Sequence, residues 1–225
     1  MPKLILLPGM DGTGELFGPF LNALRNRFNA QVIRYPTDRA LGYEALATFV
    51  RNALPVDEPY VVLAESFSGP IAIAIAAEAP PGLKGLILCC TFARNPRPVF
   101  ARAGMFLAGS GVPAAMLTFA LLGRFGSESL CSALAKAVGE VPRAVMRERL
   151  RAVITVDVSA MLRRVSVPCM YLRASEDRVV PARASAHIKG CLPATKMVRI
   201  EAPHCLLQAA PGEAEHAVSS FMRDL

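Results

Sequence analysis

The chain has no tryptophan, four tyrosines and only 7% aromatic residues. That is too few for the stacking platforms that hold single-stranded nucleic acids. Histidine is as scarce, with three in 225 residues and no two at ligand spacing. The six cysteines include the adjacent pair Cys89 and Cys90, which suits neither a secreted disulfide framework nor paired zinc knuckles. No metal and no cofactor is expected, and the thiols are expected to be reduced and mostly buried. Charge runs are missing too. Lys and Arg total 25 against 18 Asp and Glu, a net charge of +7, but no basic run is longer than two residues. A nucleic-acid partner is therefore not indicated. Only four apolar residues separate Lys3 from Pro8-Gly9, too short a stretch for a secretory h-region, and a cytoplasmic location is the expectation.

One long uncharged stretch is present, Ala103 to Leu122. It is long enough to cross a bilayer, but Gly109-Ser110-Gly111-Val112-Pro113 interrupts its centre and favours a turn between two short helices over a stable membrane span.

With 53% hydrophobic residues the chain can bury a substantial core, and its length suits one domain over residues 1–225. Short apolar runs alternate with helical patterns, which predicts an α/β fold with a mostly parallel sheet flanked by helices on both faces. Strands are expected at Lys3–Leu7, Gln31–Tyr35, Tyr60–Ala64, Gly85–Cys90, Cys169–Arg173 and Lys196–Ile200. Helices are expected near Leu16–Arg27, Tyr43–Leu54, Phe67–Ala79, Ala182–Lys189 and Leu206–Arg223. The alternation stops over 91–166, where helical segments are expected at Val99–Ala108, Pro113–Leu122, Glu128–Val138, Pro142–Val153 and Ser159–Arg164. Such an insertion is most simply a helical cap over the carboxyl edge of the sheet.

Three loops carry groups suited to nucleophilic catalysis. In Ala64-Glu65-Ser66-Phe67-Ser68-Gly69 a serine stands where a strand gives way to a helix, with small residues at minus two, plus two and plus three. A serine in a strained strand-to-helix turn needs such neighbours, because backbone must approach it closely. By itself the segment is equally a helix N-cap. A serine nucleophile needs a base, and the base needs an acid. Ala174-Ser175-Glu176-Asp177-Arg178-Val179-Val180-Pro181 follows the fifth strand and supplies the acid; Asp177 is preferred, with Glu176 and then Glu201 as competitors. Glu201-Ala202-Pro203-His204-Cys205 follows the last strand and supplies the base, whereas His187 and His216 sit within helices and are read as structural or solvent-facing. A fourth loop, Leu7-Pro8-Gly9-Met10-Asp11-Gly12-Thr13-Gly14, has the glycine spacing of a phosphate loop but lacks its Lys and Ser or Thr, having Glu15 and Leu16 there. Its backbone suits an oxyanion hole, with the amides of Met10 and Phe67 as donors.

These four regions, in this order, resemble the signature segments of the α/β-hydrolase superfamily, and together they span nearly the whole chain. The resemblance implies a compact six-stranded member with sheet order 2-1-3-4-5-6. It also implies a catalytic triad of Ser66, Asp177 and His204 and an oxyanion hole at Met10 and Phe67. The sequence departs from the family at Ala64 and Ser68, which replace the usual glycines, at Pro8, where many members carry His, and at Glu65, where many carry His or Gln.

The chemistry expected is cleavage of small or medium acyl esters through an acyl-enzyme, making the chain a carboxylesterase for a small-molecule ester. A thioesterase or acyltransferase acting on acyl-CoA or acyl carrier protein is the alternative within the same chemistry, and a ligand receptor that retains a triad is the alternative outside it. The net positive charge would suit an acidic acyl carrier protein. The substrate pocket is expected among Phe100, Met105, Phe106, Met116 and Phe119, with Leu107, Leu117, Leu121 and Leu122 as further lining or as cap core.

Overall fold

Apolar residues alternate sides along each strand, so a strand buried on both faces must be apolar throughout. The computed structural model, which describes residues 2–25, 27–98 and 114–225, arranges six strands in one sheet, the inner four largely buried on both faces and the two at the edges partly exposed: β1 (Lys3–Leu7), β2 (Ala30–Val32), β3 (Tyr60–Glu65), β4 (Leu83–Cys89), β5 (Cys169–Ala174) and β6 (Lys196–Ile200). Every pairing is parallel and the order is β2-β1-β3-β4-β5-β6, as expected. Ile5, Leu7, Val62, Ala64, Leu86 and Leu88 point into one core with α2 (Tyr43–Ala53), α3 (Gly69–Ala76) and α8 (Ala182–Cys191). Leu4, Leu6, Val61, Leu63, Ile87 and Met170 point into the other with α1 (Gly18–Leu24), α9 (Leu206–Ala209) and α10 (Pro211–Arg223).

Several elements differ in detail from the sequence expectation, each for a local reason. β2 stops at Val32 because the chain then leaves the sheet: the amide of Ile33 still bonds the Leu6 carbonyl, but that of Tyr35 reaches Gly12 in the loop after β1. The first helix is a 3₁₀ turn over Glu15–Phe17 followed by α1, and it ends where Arg25 adopts a left-handed conformation. The last helix is two, broken at Ala210, because the residue before Pro211 is driven out of helical geometry.

Between β4 and β5 lie α4 (Ala114–Leu122), α5 (Glu128–Gly139), α6 (Arg143–Thr155) and α7 (Ser159–Leu162). The expected helix Val99–Ala108 falls outside the described residues. Ser127 caps α5 by accepting the Leu130 amide at 3.2 Å. Leu122 and Leu134 pack against Cys205 and Leu16, and the Cys205 amide bonds the Leu121 carbonyl at 3.1 Å. The inserted helices thus meet the loops that follow β1 and β6. Among the described residues no helix is long and apolar enough to cross a membrane.

One contact from the insertion is unusual. On α6 the buried stripe Val145, Arg149, Val153 has a cation in its middle, and Arg149 is fully buried. Its guanidinium donates to the carbonyls of Met10 and Asp11, both at 2.8 Å, and of Pro36 at 2.9 Å, beneath the Tyr35 ring. A Cβ on Gly12 would come within 2.6 Å of the same guanidinium, and Gly12 has φ +71°, so the loop is shaped around this side chain. Arg149→Met should leave three carbonyls without a donor and destabilise the fold by about 3 kcal/mol in urea unfolding. Arg149→Lys should recover only part of that, because an ammonium cannot reproduce the planar fork.

Candidate active site

All six strands run the same way, so the loops after β1, β3, β5 and β6 emerge at one edge of the sheet, where ligands bind in open α/β folds. Ser66 follows the last residue of β3 with φ 49°, a conformation that costs a residue with a Cβ about 1–3 kcal/mol. Its neighbours hold it there. The Thr91 hydroxyl donates to the Ser66 carbonyl, and Thr91 is itself fixed by Tyr171, whose hydroxyl accepts from the Thr91 amide at 3.0 Å and donates to its carbonyl at 2.8 Å. A Cβ at Gly69 would overlap the Thr91 side chain. Ser68 is fully buried; it donates to the Pro8 carbonyl and accepts from the Tyr35 hydroxyl at 2.5 Å. The serine in the usual glycine place therefore ties the elbow to the loop after β1.

Ser66 Oγ lies 2.8 Å from His204 Nε2, and His204 Nδ1 lies 2.9 and 3.0 Å from the Asp177 carboxylate oxygens. Because Nδ1 faces a carboxylate it carries the proton, which leaves Nε2 to accept from Ser66. Asp177 Oδ1 also accepts the amides of Val179 and Val180, both at 2.8 Å, so the start of the segment leading to α8 orients the acid. The competing acids are engaged elsewhere. Glu176 and Glu201 both accept from Arg124, at 2.7 Å each from its Nη2, and that guanidinium side chain is 61% exposed. His187 bonds Ser159 at 2.7 Å and His216 is exposed on α10.

Ser66 and His204 open onto a cavity of about 210 Å³. Gly9, Met10 and Asp11 border it from the loop after β1, and its apolar wall is Leu117, Ala120 and Leu121 of α4, Leu134 and Val138 of α5, and Met146 of α6. Met116 and Phe119 are not part of this wall. They are 58% and 62% exposed, because α4 turns Leu117, Ala120 and Leu121 inward and so faces the intervening residues outward, with Phe119 stacked under Arg178 at 4.6 Å. Phe100, Met105 and Phe106, the other expected pocket residues, lie outside the described residues, as does Leu107. The amide-bearing residue Phe67 follows Ser66 directly; its ring is buried and stacks on Tyr43 at 4.7 Å between centroids.

A profile of the alpha/beta hydrolase family matches residues 4–217. The chain belongs to that family. The solved structures it resembles include a hydrolase from Oleispira antarctica, with TM-score 0.87 and 16% identity over 100% of this chain and 92% of that one. An esterase from the thermophile Thermogutta terrifontis gives TM-score 0.82 and 20% identity over 100% and 90%. At such identities the likeness is one of fold. Phytyl ester synthase 1, chloroplastic, of Arabidopsis thaliana is 33% identical over 82 residues, which are 34% of this chain and only 12% of that protein.

In this alpha/beta hydrolase several site residues carried no sequence signal strong enough to find them. Arg149 stands in Arg147-Glu148-Arg149-Leu150-Arg151, where a charge looks solvent-facing; its signal was the i, i+4 spacing from Val145 and to Val153. Glu65 was visible only as a departure from the family pattern. It is 6% exposed, borders the cavity, and accepts from Gln208 Nε2 at 3.3 Å. Burial raises its carboxyl to about 7, more than the Gln208 hydrogen bond and nearby His204 lower it, and Asp11 adds to the rise. Between about pH 4.5 and 7 the unfolded chain sheds this proton while the folded chain keeps it, so stability falls as pH rises through that window. Glu65→Gln should remove a penalty of about 3 kcal/mol at pH 8 and leave stability near the parent value at pH 4, compared by urea unfolding at both. Gly69→Ala should displace Thr91 and cost about 2 kcal/mol in the same assay.

Proposed function

We propose that this alpha/beta hydrolase is a serine carboxylesterase that cleaves small or medium acyl esters through an acyl-enzyme. The observation that carries the reading is the hydrogen-bonded line from Ser66 through His204 to Asp177 at the mouth of an apolar cavity. His204 Nε2 takes the Ser66 proton as Oγ bonds the ester carbonyl carbon, and Asp177 steadies the imidazolium. The amides of Met10 and Phe67 receive the charge that develops on the carbonyl oxygen. His204 then returns the proton to the departing alcohol oxygen as the carbon–oxygen bond breaks. Water, deprotonated by the same imidazole, releases the acid and restores Ser66. In this reading 91–166 acts as a cap whose helices α4, α5 and α6 shape the acyl pocket. The cavity lies below the 300–1,000 Å³ typical of drug-sized ligands, which favours short acyl groups.

A second reading shares the acyl-enzyme and replaces water with an alcohol. It is favoured by the curated relative named a phytyl ester synthase. Adding alcohol acceptors to the ester assay and measuring ester product against free acid separates the two.

A fluorophosphonate probe should label Ser66, and Ser66→Ala should abolish both labelling and multiple turnover of p-nitrophenyl butyrate. Asp177→Asn should lower kcat by about 10⁴, since the wrong histidine tautomer is then favoured. Glu176→Gln and Glu201→Gln should remain within a few-fold of the parent. Label mapped to another residue, or turnover that survives His204→Ala, overturns the assignment.

A further inference from the structure

Among the described residues that line the cavity, Ser66 and His204 aside, the polar side chains are Asp11, Glu65 and Gln208, and all three are buried. Glu65 and Gln208 are 6% and 5% exposed, both border the cavity, and they are joined by a single hydrogen bond of 3.3 Å. That bond uses one edge of the Gln208 amide. The other edge, Oε1, is buried and has no partner among the described residues. A buried amide atom left unpaired is costly, and such groups in native proteins nearly always meet a partner. Both residues border the substrate cavity, so a group bound there lies beside this pair.

Resting on the carboxylesterase reading, we infer that this Glu65–Gln208 notch binds a hydroxyl group of the substrate, so that the preferred substrates are short hydroxyl-bearing esters. A hydroxyl both donates and accepts, which suits a notch made of an unpaired amide edge beside a carboxyl group. Charged alternatives fit less well. A substrate carboxylate would face Glu65 and Asp11 with no Lys or Arg among the described lining residues to offset it. An ammonium would require an ionised partner. Asp11 is occupied, since its Oδ2 accepts from the Thr13 amide at 2.9 Å and the Thr13 hydroxyl at 2.6 Å, and burial disfavours the ionised form of Glu65. A purely apolar acyl chain would leave the notch unsatisfied, which is how a hydrogen-bonding site discriminates against an analogue that lacks the group.

The hydroxyl could belong to the acid or to the alcohol part of the ester, and a pH-stat assay distinguishes them. Methyl 3-hydroxybutyrate is compared with methyl butyrate, and 2-hydroxyethyl butyrate with propyl butyrate, with methyl 3-aminobutyrate and monomethyl succinate as charged controls. Each rate is normalised to that ester's own alkaline hydrolysis. The expected result is a kcat/KM at least about tenfold higher for the hydroxylated member of one pair. Gln208→Leu should bring that ratio close to one. The parent enzyme's own panel decides the matter if Gln208→Leu does not fold. The inference is overturned if neither hydroxylated ester is preferred, if the amino ester is the best substrate, or if the preference survives in folded Gln208→Leu. If no ester is turned over and Ser66 takes no fluorophosphonate label, the hydrolase reading falls and takes this inference with it. Turnover without hydroxyl preference removes the inference alone.

Discussion

Ser66 is held in a backbone conformation that a serine does not favour, and the surrounding structure is arranged around keeping it there. At φ 49° the side chain is thrust out of the turn between β3 and α3. That conformation persists because it is overdetermined from several directions. Thr91, at the end of β4, grips the Ser66 carbonyl and is clamped by Tyr171 of β5. Gly69 lets Thr91 approach, and Ser68 fastens the turn to Pro8 in the loop after β1. Contacts from three neighbouring strands and their loops thus converge on one residue, which is possible because β1, β3, β4 and β5 lie side by side in the sheet.

The inserted helices contribute more than a roof. Arg149 reaches from α6 to hold the carbonyls of Met10 and Asp11, and the backbone at Leu121 bonds the residue after His204. Arg124 bridges Glu176 and Glu201, one from each of the loops after β5 and β6. The exposed Arg124 bridges are worth little in stability on their own. A guanidinium buried as deeply as Arg149 is different, because removing it strands its acceptors in a place water does not reach. The segment that walls the cavity is therefore mechanically joined to the loops that surround Ser66.

Carboxyl groups near the site illustrate how environment assigns roles to the same chemistry. Asp177 is buried against His204 and fixed by two amides. Glu176, its neighbour in sequence, faces solvent and is held below its ordinary range by Arg124. Glu65, next to Ser66, is pushed up to about 7 by burial. Chain position alone does not separate these three; what surrounds each oxygen does.

The order of the sheet followed only from the family resemblance that the four loops carry, whereas the strand pattern and the sequence of those loops were legible from local signals, because buried parallel strands are continuous apolar runs and turns announce themselves with glycine and proline. Lys3–Leu7 was readable to the residue for that reason. Ser66, Asp177 and His204 were readable because strand ends in a parallel sheet share one edge. The direction of individual side chains in the insertion was not: α4 is apolar on every side, so nothing local said that Leu117 faces the cavity while Met116 and Phe119 face outward. Arg149 and the Glu65–Gln208 pair were decided only by tertiary structure. Their partners lie 139 and 143 residues away, and whether a polar side chain is buried depends on what those distant partners offer it, which no local pattern encodes.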